Sequence, residues 1–160
     1  MKVKNIMQSP AVSCKEDTNL AKAVDLLWSC DCGVLPVVDA SGKVIGIITD
    51  RDICVAVGSR NRPPADLLVR QVGLHEVVTC KPEDDVLSAL EAMKVHQVRR
   101  LPVVDEAGIL KGILSVNDII RRAEQVLPGK TTELTYSDIM PVLKAISERG
   151  PIPQARLAAA

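Results

Sequence analysis

The chain has no excess charge of either sign, no apolar run long enough to cross a membrane, and no cluster of residues that signals catalysis. Lys plus Arg and Asp plus Glu number 20 each in 160 residues. No global basic field is therefore available to attract nucleic acid or an anionic lipid surface, and any phosphate recognition must be local. No stretch approaches the roughly 18 consecutive apolar residues of a spanning helix. Met1-Lys2-Val3-Lys4-Asn5-Ile6-Met7 lacks the apolar run of a signal peptide. These absences lead to the expectation of a cytoplasmic protein with neither nucleic acid nor membrane as a partner. The two histidines, His75 and His96, belong to no metal-binding or nucleophilic pattern and read as surface or packing residues. Ser-His-Asp order, a P-loop and His-Glu-x-x-His are all missing, so a non-enzymatic role is expected.

Cysteine is scarce and unpatterned. The five residues Cys14, Cys30, Cys32, Cys54 and Cys80 form an odd set without C-x-x-C spacing, and read as reduced thiols that mostly pack in the core. Cys30-Asp31-Cys32 offers a redox or metal fragment as an alternative, but two ligands one residue apart do not make a tetrahedral site. No metal is expected.

What the chain does contain is one pattern written twice. Leu35-Pro36-Val37-Val38-Asp39 leads to Gly46-Ile47-Ile48-Thr49-Asp50-Arg51-Asp52-Ile53, and Leu101-Pro102-Val103-Val104-Asp105 leads to Gly112-Ile113-Leu114-Ser115-Val116-Asn117-Asp118-Ile119. The offset is 66 residues throughout, and it also pairs Val12-Ser13-Cys14-Lys15 with Val78-Thr79-Cys80-Lys81. Leu20, Ala23, Val24 and Leu27 form an apolar helical stripe that Val86, Ala89, Leu90 and Met93 repeat. With 47% apolar and 25% charged residues the composition is that of an ordinary globular protein. A unit of about 60 residues is marginal alone. The two halves are therefore expected to pack on each other and share a core.

Taken in order, residues 1–9 are a lead-in and an extended segment follows from Pro10 to Ser13. A helix is expected from the capping residues Glu16-Asp17-Thr18-Asn19 to about Ser29, stopped by Gly33. Strands at 34–39 and 43–48 flank the turn Asp39-Ala40-Ser41-Gly42, where Gly42 supplies positive φ. The next helix runs from Thr49 to about Val57, before Gly58. Asn61-Arg62-Pro63-Pro64 marks the linker. In the second half an extended segment at 77–80, a helix at 85–95, strands at 100–105 and 109–114, and a helix from Val116 to about Leu127 repeat this order, with Pro128-Gly129 ending the last. The expected division is thus 1–65, 66–128, and a C-terminal extension at 129–160 with a loose tail. In the extension Ile139, Val142, Leu143 and Ile146 form an amphipathic stripe. Pro141 fits that helix only in its first turn, and Gly150 with nearby prolines finishes it. Trp28 reads as a large helix-edge residue or a contact between modules.

Gly46-x-x-Thr49-x-x-Asp52 and Gly112-x-x-Ser115-x-x-Asp118 carry the functional signal. Each hydroxyl and acid is first of all a capping box. The functional reading adds the preceding strand and glycine, which turn the helix start toward a crevice. There a phosphate would meet amides and the hydroxyl, while the acid would accept from a ribose diol. This division of labour points to a nucleotide, and its appearance in two copies strengthens it.

Over residues 1 to about 127, the order, spacing and paired motif resemble a tandem pair of CBS domains. This module, named after cystathionine β-synthase and often called a Bateman module, also occurs as small stand-alone bacterial and archaeal proteins. The resemblance implies an α/β (α+β) fold of two β-α-β-β-α repeats about a pseudo-twofold axis, joined here by a C-terminal helix. It also implies two clefts for adenosine-containing ligands: AMP, ADP, ATP or S-adenosylmethionine. Thr49 and Ser115 match the family's phosphate-contacting hydroxyl, and Asp52 and Asp118 its ribose-contacting acid. Val12-Ser13 and Val77-Val78, with Val34 and Arg100, resemble the segments of the adenine wall. The copies differ at Arg99-Arg100, which align with Gly33-Val34, and at Arg51, which aligns with Asn117. These arginines read either as phosphate ligands or as solvated charge, and two sites of unequal affinity are expected.

The function implied is regulatory: an energy-sensing module whose occupancy alters affinity for a regulated protein, with a homodimer as the assembly. Whether Mg²⁺ accompanies a polyphosphate is left open. A ligand-independent dimerisation scaffold is the alternative of a different class. A thiol redox regulator is a third, distinguished by a depressed thiol pKa at Cys30 or Cys32.

Overall fold

The doubled Leu-Pro-Val-Val-Asp pattern builds two hairpins of the same shape. In the computed structural model, which describes residues 1–74, 76–124 and 133–148, β1 (Cys14–Lys15) lies parallel to β2 (Val34–Val38), which pairs antiparallel with β3 (Val44–Thr49). In the second half β4 (Arg100–Val104) pairs antiparallel with β5 (Leu110–Ser115), and Cys80 bridges to Val103 as the counterpart of β1. Each pairing shifts register at the same place, Val37/Val38 and Val103/Val104. The hairpin turns are closed by their aspartates. Asp39 Oδ1 accepts from the amides of Ser41 (2.8 Å) and Lys43 (3.0 Å), and Asp105 Oδ1 from those of Ala107 (3.0 Å) and Ile109 (2.9 Å). Gly42 and Gly108 take φ of +85° and +82°, which a side chain would strain.

The hairpin tips meet each other. Val44 N donates to Gly108 O (3.0 Å), and Leu110 N to Gly42 O (3.1 Å). These bonds interchange under the 66-residue offset and so mark the pseudo-twofold axis.

Asn19 caps α1 (Leu20–Ser29), its side chain accepting from Lys22 N at 2.8 Å. The helix ends through Asp31, at φ +46°, before the expected stop at Gly33 is reached. Helix α2 (Asp50–Arg60) runs through Gly58 and stops at Asn61, whose φ is +47°. A helical glycine costs only about 1 kcal/mol, whereas asparagine tolerates the left-handed turn that ends a helix. Asp85 caps α3 (Val86–Val95). Helix α4 (Val116–Ile120) is shorter than expected. Its chain leaves the helix so that Glu124 N can bond Leu134 O at 3.1 Å, and Glu124 bridges to Thr135. The remainder of the expected run to Leu127 lies outside the described residues, as do Pro128, Gly129, Gly150 and His75.

Helix α5 (Tyr136–Ser147) is capped by Thr135 and Asp138. Pro141 is inside it, beyond the first turn to which the sequence reading confined it. Packing overrides the local penalty: Ile139 and Val142 are buried, with Leu143 and Ile146 half-buried, in the second apolar cluster, where α5 lies against α3.

The halves depend on each other through exchanged lead-ins. Val3, fully buried, belongs to the apolar cluster of the second repeat, while Leu67 and Val69 complete that of the first. The backbone bonds correspond pairwise: Val3 N to Asp84 O (3.0 Å) with Val69 N to Thr18 O (2.8 Å), and Val86 N to Met1 O (3.0 Å) with Leu20 N to Leu67 O (2.8 Å).

Candidate functional site

The exchanged lead-ins explain the motif glycines. At Gly46 a Cβ would stand 2.3 Å from the carbonyl oxygen of Gly73, and at Gly112 it would stand 2.7 Å from that of Gln8. Each lead-in crosses its hairpin at this point: Ile47 N donates to Gly73 O (3.0 Å), and Gln8 and Ile113 exchange both backbone bonds (2.9 and 3.0 Å). The glycine in each motif is thus required by a backbone crossing, and at Gly112 that crossing also brings Gln8 and Ile113 to the wall of a cleft.

The two capping boxes are formed as the sequence predicts. Thr49 Oγ1 donates to Asp52 Oδ2 (2.7 Å) and accepts from Asp52 N (3.1 Å). Ser115 Oγ donates to Asp118 Oδ2 (2.5 Å) and accepts from Asp118 N (3.2 Å). Backbone amides of Thr49 (3.0 Å) and Ser115 (2.9 Å) bond the same carboxylate oxygens.

The surroundings of the two boxes differ. Asp118 is 7% exposed and is the buried charged residue among those described, whereas Asp52 is half-buried. The second oxygen of Asp118 faces Gln8 Nε2 at 3.4 Å and Arg121 at 3.8 Å.

A cavity of about 340 Å³ opens at Asp118 between the repeats. Val12 and Val34 reach it from the first repeat, and Arg100, Ser115 and Asp118 from the second. Five sequence-predicted residues therefore converge in one cleft. Arg100, at the start of β4, is in no ion pair among the described residues, nor are Arg51 and Arg99. Its guanidinium is available to an anion. Thr49, Arg51, Asp52 and Val78 do not line this cavity; Thr49 and Asp52 cap α2, Arg51 is exposed, and Val78 packs on the second cluster. They are the counterparts of its lining on the other side of the pseudo-twofold axis.

The family model for the CBS domain matches residues 3–59 and 69–124. The chain belongs to the CBS domain family. An inosine-5'-monophosphate dehydrogenase of Methanocaldococcus jannaschii is 30% identical over 121 residues, covering 76% of this chain but 23% of that protein. Among three such dehydrogenases the chain spans 22 to 24% of the partner's length, so the likeness is to their CBS region. The CBS domain pair of protein MJ0100, solved with 5′-methylthioadenosine and S-adenosyl-L-methionine, is 26% identical with a TM-score of 0.69, covering 76% of this chain and 94% of that one. Protein MJ1225 of M. jannaschii, described as an archaeal homologue of the AMP-activated kinase γ subunit, is 26% identical with a TM-score of 0.68, covering 76% and 49%.

Several residues of the CBS cleft escaped the sequence reading. Gln8, Asn117 and Arg121 line it, as do Cys30, Asp31 and Cys32 in the turn after α1. The C-x-C spacing was visible, but nothing in it locates the turn at a cleft. Gln8 arrives through the lead-in exchange. The cysteines also depart from a mostly buried set: Cys14 and Cys80 are buried, Cys30 and Cys54 exposed, Cys32 half-buried. Burial pushes the thiols of Cys14 up to about 11 and Cys80 up to about 12, and it raises that of Cys32 as well. A thiol raised by desolvation is a poor nucleophile, which counts against Cys32 as a redox centre. Among the described residues no cluster of three or more potential metal ligands occurs, and no helix is long and apolar enough to cross a membrane.

Proposed function

We propose that this CBS pair is a cytoplasmic, non-catalytic regulatory module that binds an adenosine-containing ligand in the cleft at Asp118 and signals occupancy to a partner protein. The convergence of Val12, Val34, Arg100, Ser115 and Asp118 on one 340 Å³ cavity carries the reading; this volume lies in the range of small-ligand pockets. Val12 and Val34 offer apolar walls to adenine. The cavity-facing oxygen of Asp118 is placed to accept from a ribose diol, with Gln8 giving way. Arg100, in no ion pair among the described residues, favours a phosphorylated ligand, since a guanidinium pairs with phosphate in bidentate fashion. Mg²⁺ enters this reading only as the companion of a polyphosphate. The Thr49–Asp52 side supplies a second, unequal cleft.

Ligand bridging the repeats stabilises one relative arrangement of them, and a partner senses it only if it prefers that arrangement. Because α5 covers the helical face of the second repeat, a dimer of the kind implied by the resemblance would have to form without that face.

The test is thermal unfolding with AMP, ADP, ATP, S-adenosylmethionine and GTP on the parent chain, Asp118→Ala and Asp52→Ala. A ligand at about 100 times its Kd stabilises by roughly 2.7 kcal/mol, or about 5–10 °C for a chain of this size. The expected result is an adenosine-specific shift that Asp118→Ala abolishes. A folded chain that no compound shifts would replace the sensor with a ligand-independent scaffold.

A further inference from the structure

A second cavity adjoins the cleft. It encloses about 290 Å³ and shares Arg100, Ser115 and Asn117 with the cleft as a common wall. Arg99 also lines this chamber, and the last turns of α5 close it through Leu143, Ile146 and Ser147.

The charge in the chamber is of one sign. Neither Arg99 nor Arg100 is in an ion pair among the described residues, and no carboxylate is in the lining. Asn117 and Ser147 add groups able to donate hydrogen bonds. Two guanidinium groups with no acid beside them favour an anion, and phosphate above all, because its oxygens accept from both forks of donors.

The first repeat supplies the contrast. The 66-residue offset puts Gly33 and Val34 where the second repeat has Arg99 and Arg100, and Asp50 where it has Val116. The carboxylate of Asp50 stands close beside Gly33, 3.2 Å from where a Cβ would be. The element order holds no counterpart of α5 in that repeat. Paired arginines, a missing acid and a covering helix therefore occur together, on one repeat.

We propose that α5 is part of the ligand site: the phosphate chain of a nucleoside polyphosphate enters the chamber beneath it, while the adenosine stays in the cleft. Arg100, in the common wall, meets the first phosphate, and Arg99 with the end of α5 meets those that follow. This rests on the adenosyl reading of the cleft, and it names the ligand class as ADP or ATP in preference to AMP or S-adenosylmethionine. Occupancy is thereby felt by a helix that lies outside both repeats.

The experiment measures binding of AMP, ATP and inorganic tripolyphosphate to the full chain by titration calorimetry, with Arg99→Ala, Ser147→Glu and Ser147→Lys as variants. Ser147 is exposed at the end of α5, and unfolding curves check that each variant is folded. ATP is expected to bind about tenfold or more tighter than AMP. Arg99→Ala removes a guanidinium and Ser147→Glu sets a carboxylate against both, so each should erase most of that ratio, whereas Ser147→Lys should widen it. Tripolyphosphate should compete with ATP and be weakened by the same two variants. The proposal is overturned if AMP and ATP bind equally, or if the ratio survives both Arg99→Ala and Ser147→Glu. Should no nucleotide bind while tripolyphosphate does, and Ser147→Glu abolish that binding, the chamber stands as a phosphate site and the adenosyl reading alone fails. Tripolyphosphate that does not bind, or that binds regardless of residue 147, overturns the proposal.

Discussion

The side-chain amide of Gln8 donates to Oδ1 of Asp118 at 3.4 Å, across 110 positions of sequence. The other carboxylate oxygen is tied into the cap of α4 by Ser115, so under the proposed function a ligand hydroxyl would take the place of Gln8. Gln8→Ala is expected to leave stability within about 0.5 kcal/mol of the parent and to retain a nucleotide-dependent shift. Asp118→Ala removes a cap and a buried acceptor, costing about 1–2 kcal/mol, and loses the shift. Unfolding curves with and without nucleotide separate the two effects.

Two glycines should respond to alanine in opposite directions. Gly46→Ala drives a methyl into the backbone of Gly73 and is expected to cost about 2–3 kcal/mol, lowering Tm by several degrees. Gly58 sits in α2 with nothing within 4 Å of its missing Cβ, so Gly58→Ala should stabilise by about 0.5–1 kcal/mol. Equilibrium denaturation of both variants checks the signs.

The thiols divide by burial. At neutral pH, alkylation followed by peptide mapping should mark Cys30 and Cys54 in the folded chain, with Cys14 and Cys80 reacting only after unfolding. The folded state holds the protons of Cys14 and Cys80 more tightly than the ordinary value of 9.0 allows. Their contribution is therefore complete below about pH 9 and lost as pH rises toward 11 and 12. Stability measured from pH 8 upward should fall, and less steeply in a Cys14→Ala, Cys80→Ala double variant.

Pro141 is exposed on α5 and deprives the helix interior of a hydrogen bond. Pro141→Ala is expected to stabilise by about 1–3 kcal/mol, read as a higher denaturant midpoint with unchanged slope. No change would mean that the packing of Ile139 and Val142 holds α5 whatever its local propensity.

Much of the fold was legible because its signals are local. Asn19 and Asp85 cap the helices that their positions announce, and Asp39 and Asp105 close the turns that their glycines finish. Helix ends were less legible: Asp31 and Asn61 adopt left-handed backbone where Gly33 and Gly58 offered the more obvious stops. The capping boxes of Thr49 and Ser115 were readable, and the resemblance marked Val12 and Val34 as wall residues, but that they face the second motif was not readable. The lead-in exchange was not. Contacts such as Val3 with Asp84 join distant residues, and no periodicity in either segment announces them. The same blindness hid Gln8 in the cleft and the seat of α5 on the second repeat, although the stripe of Ile139, Val142, Leu143 and Ile146 showed that α5 had an apolar face to bury.

The crossing of the lead-ins also sets a timetable for synthesis. A ribosome makes roughly 5–20 residues per second, so Val3 waits several seconds for Asp84 and the rest of its cluster to emerge. During that interval the first repeat also lacks Leu67 and Val69, leaving its own cluster open. The first repeat closes only once Leu67 and Val69 have emerged, and Val3 stays uncovered until the second repeat follows, so a nascent chain halted in the linker at Pro63-Pro64 would expose Val3 and an open first cluster to chaperones.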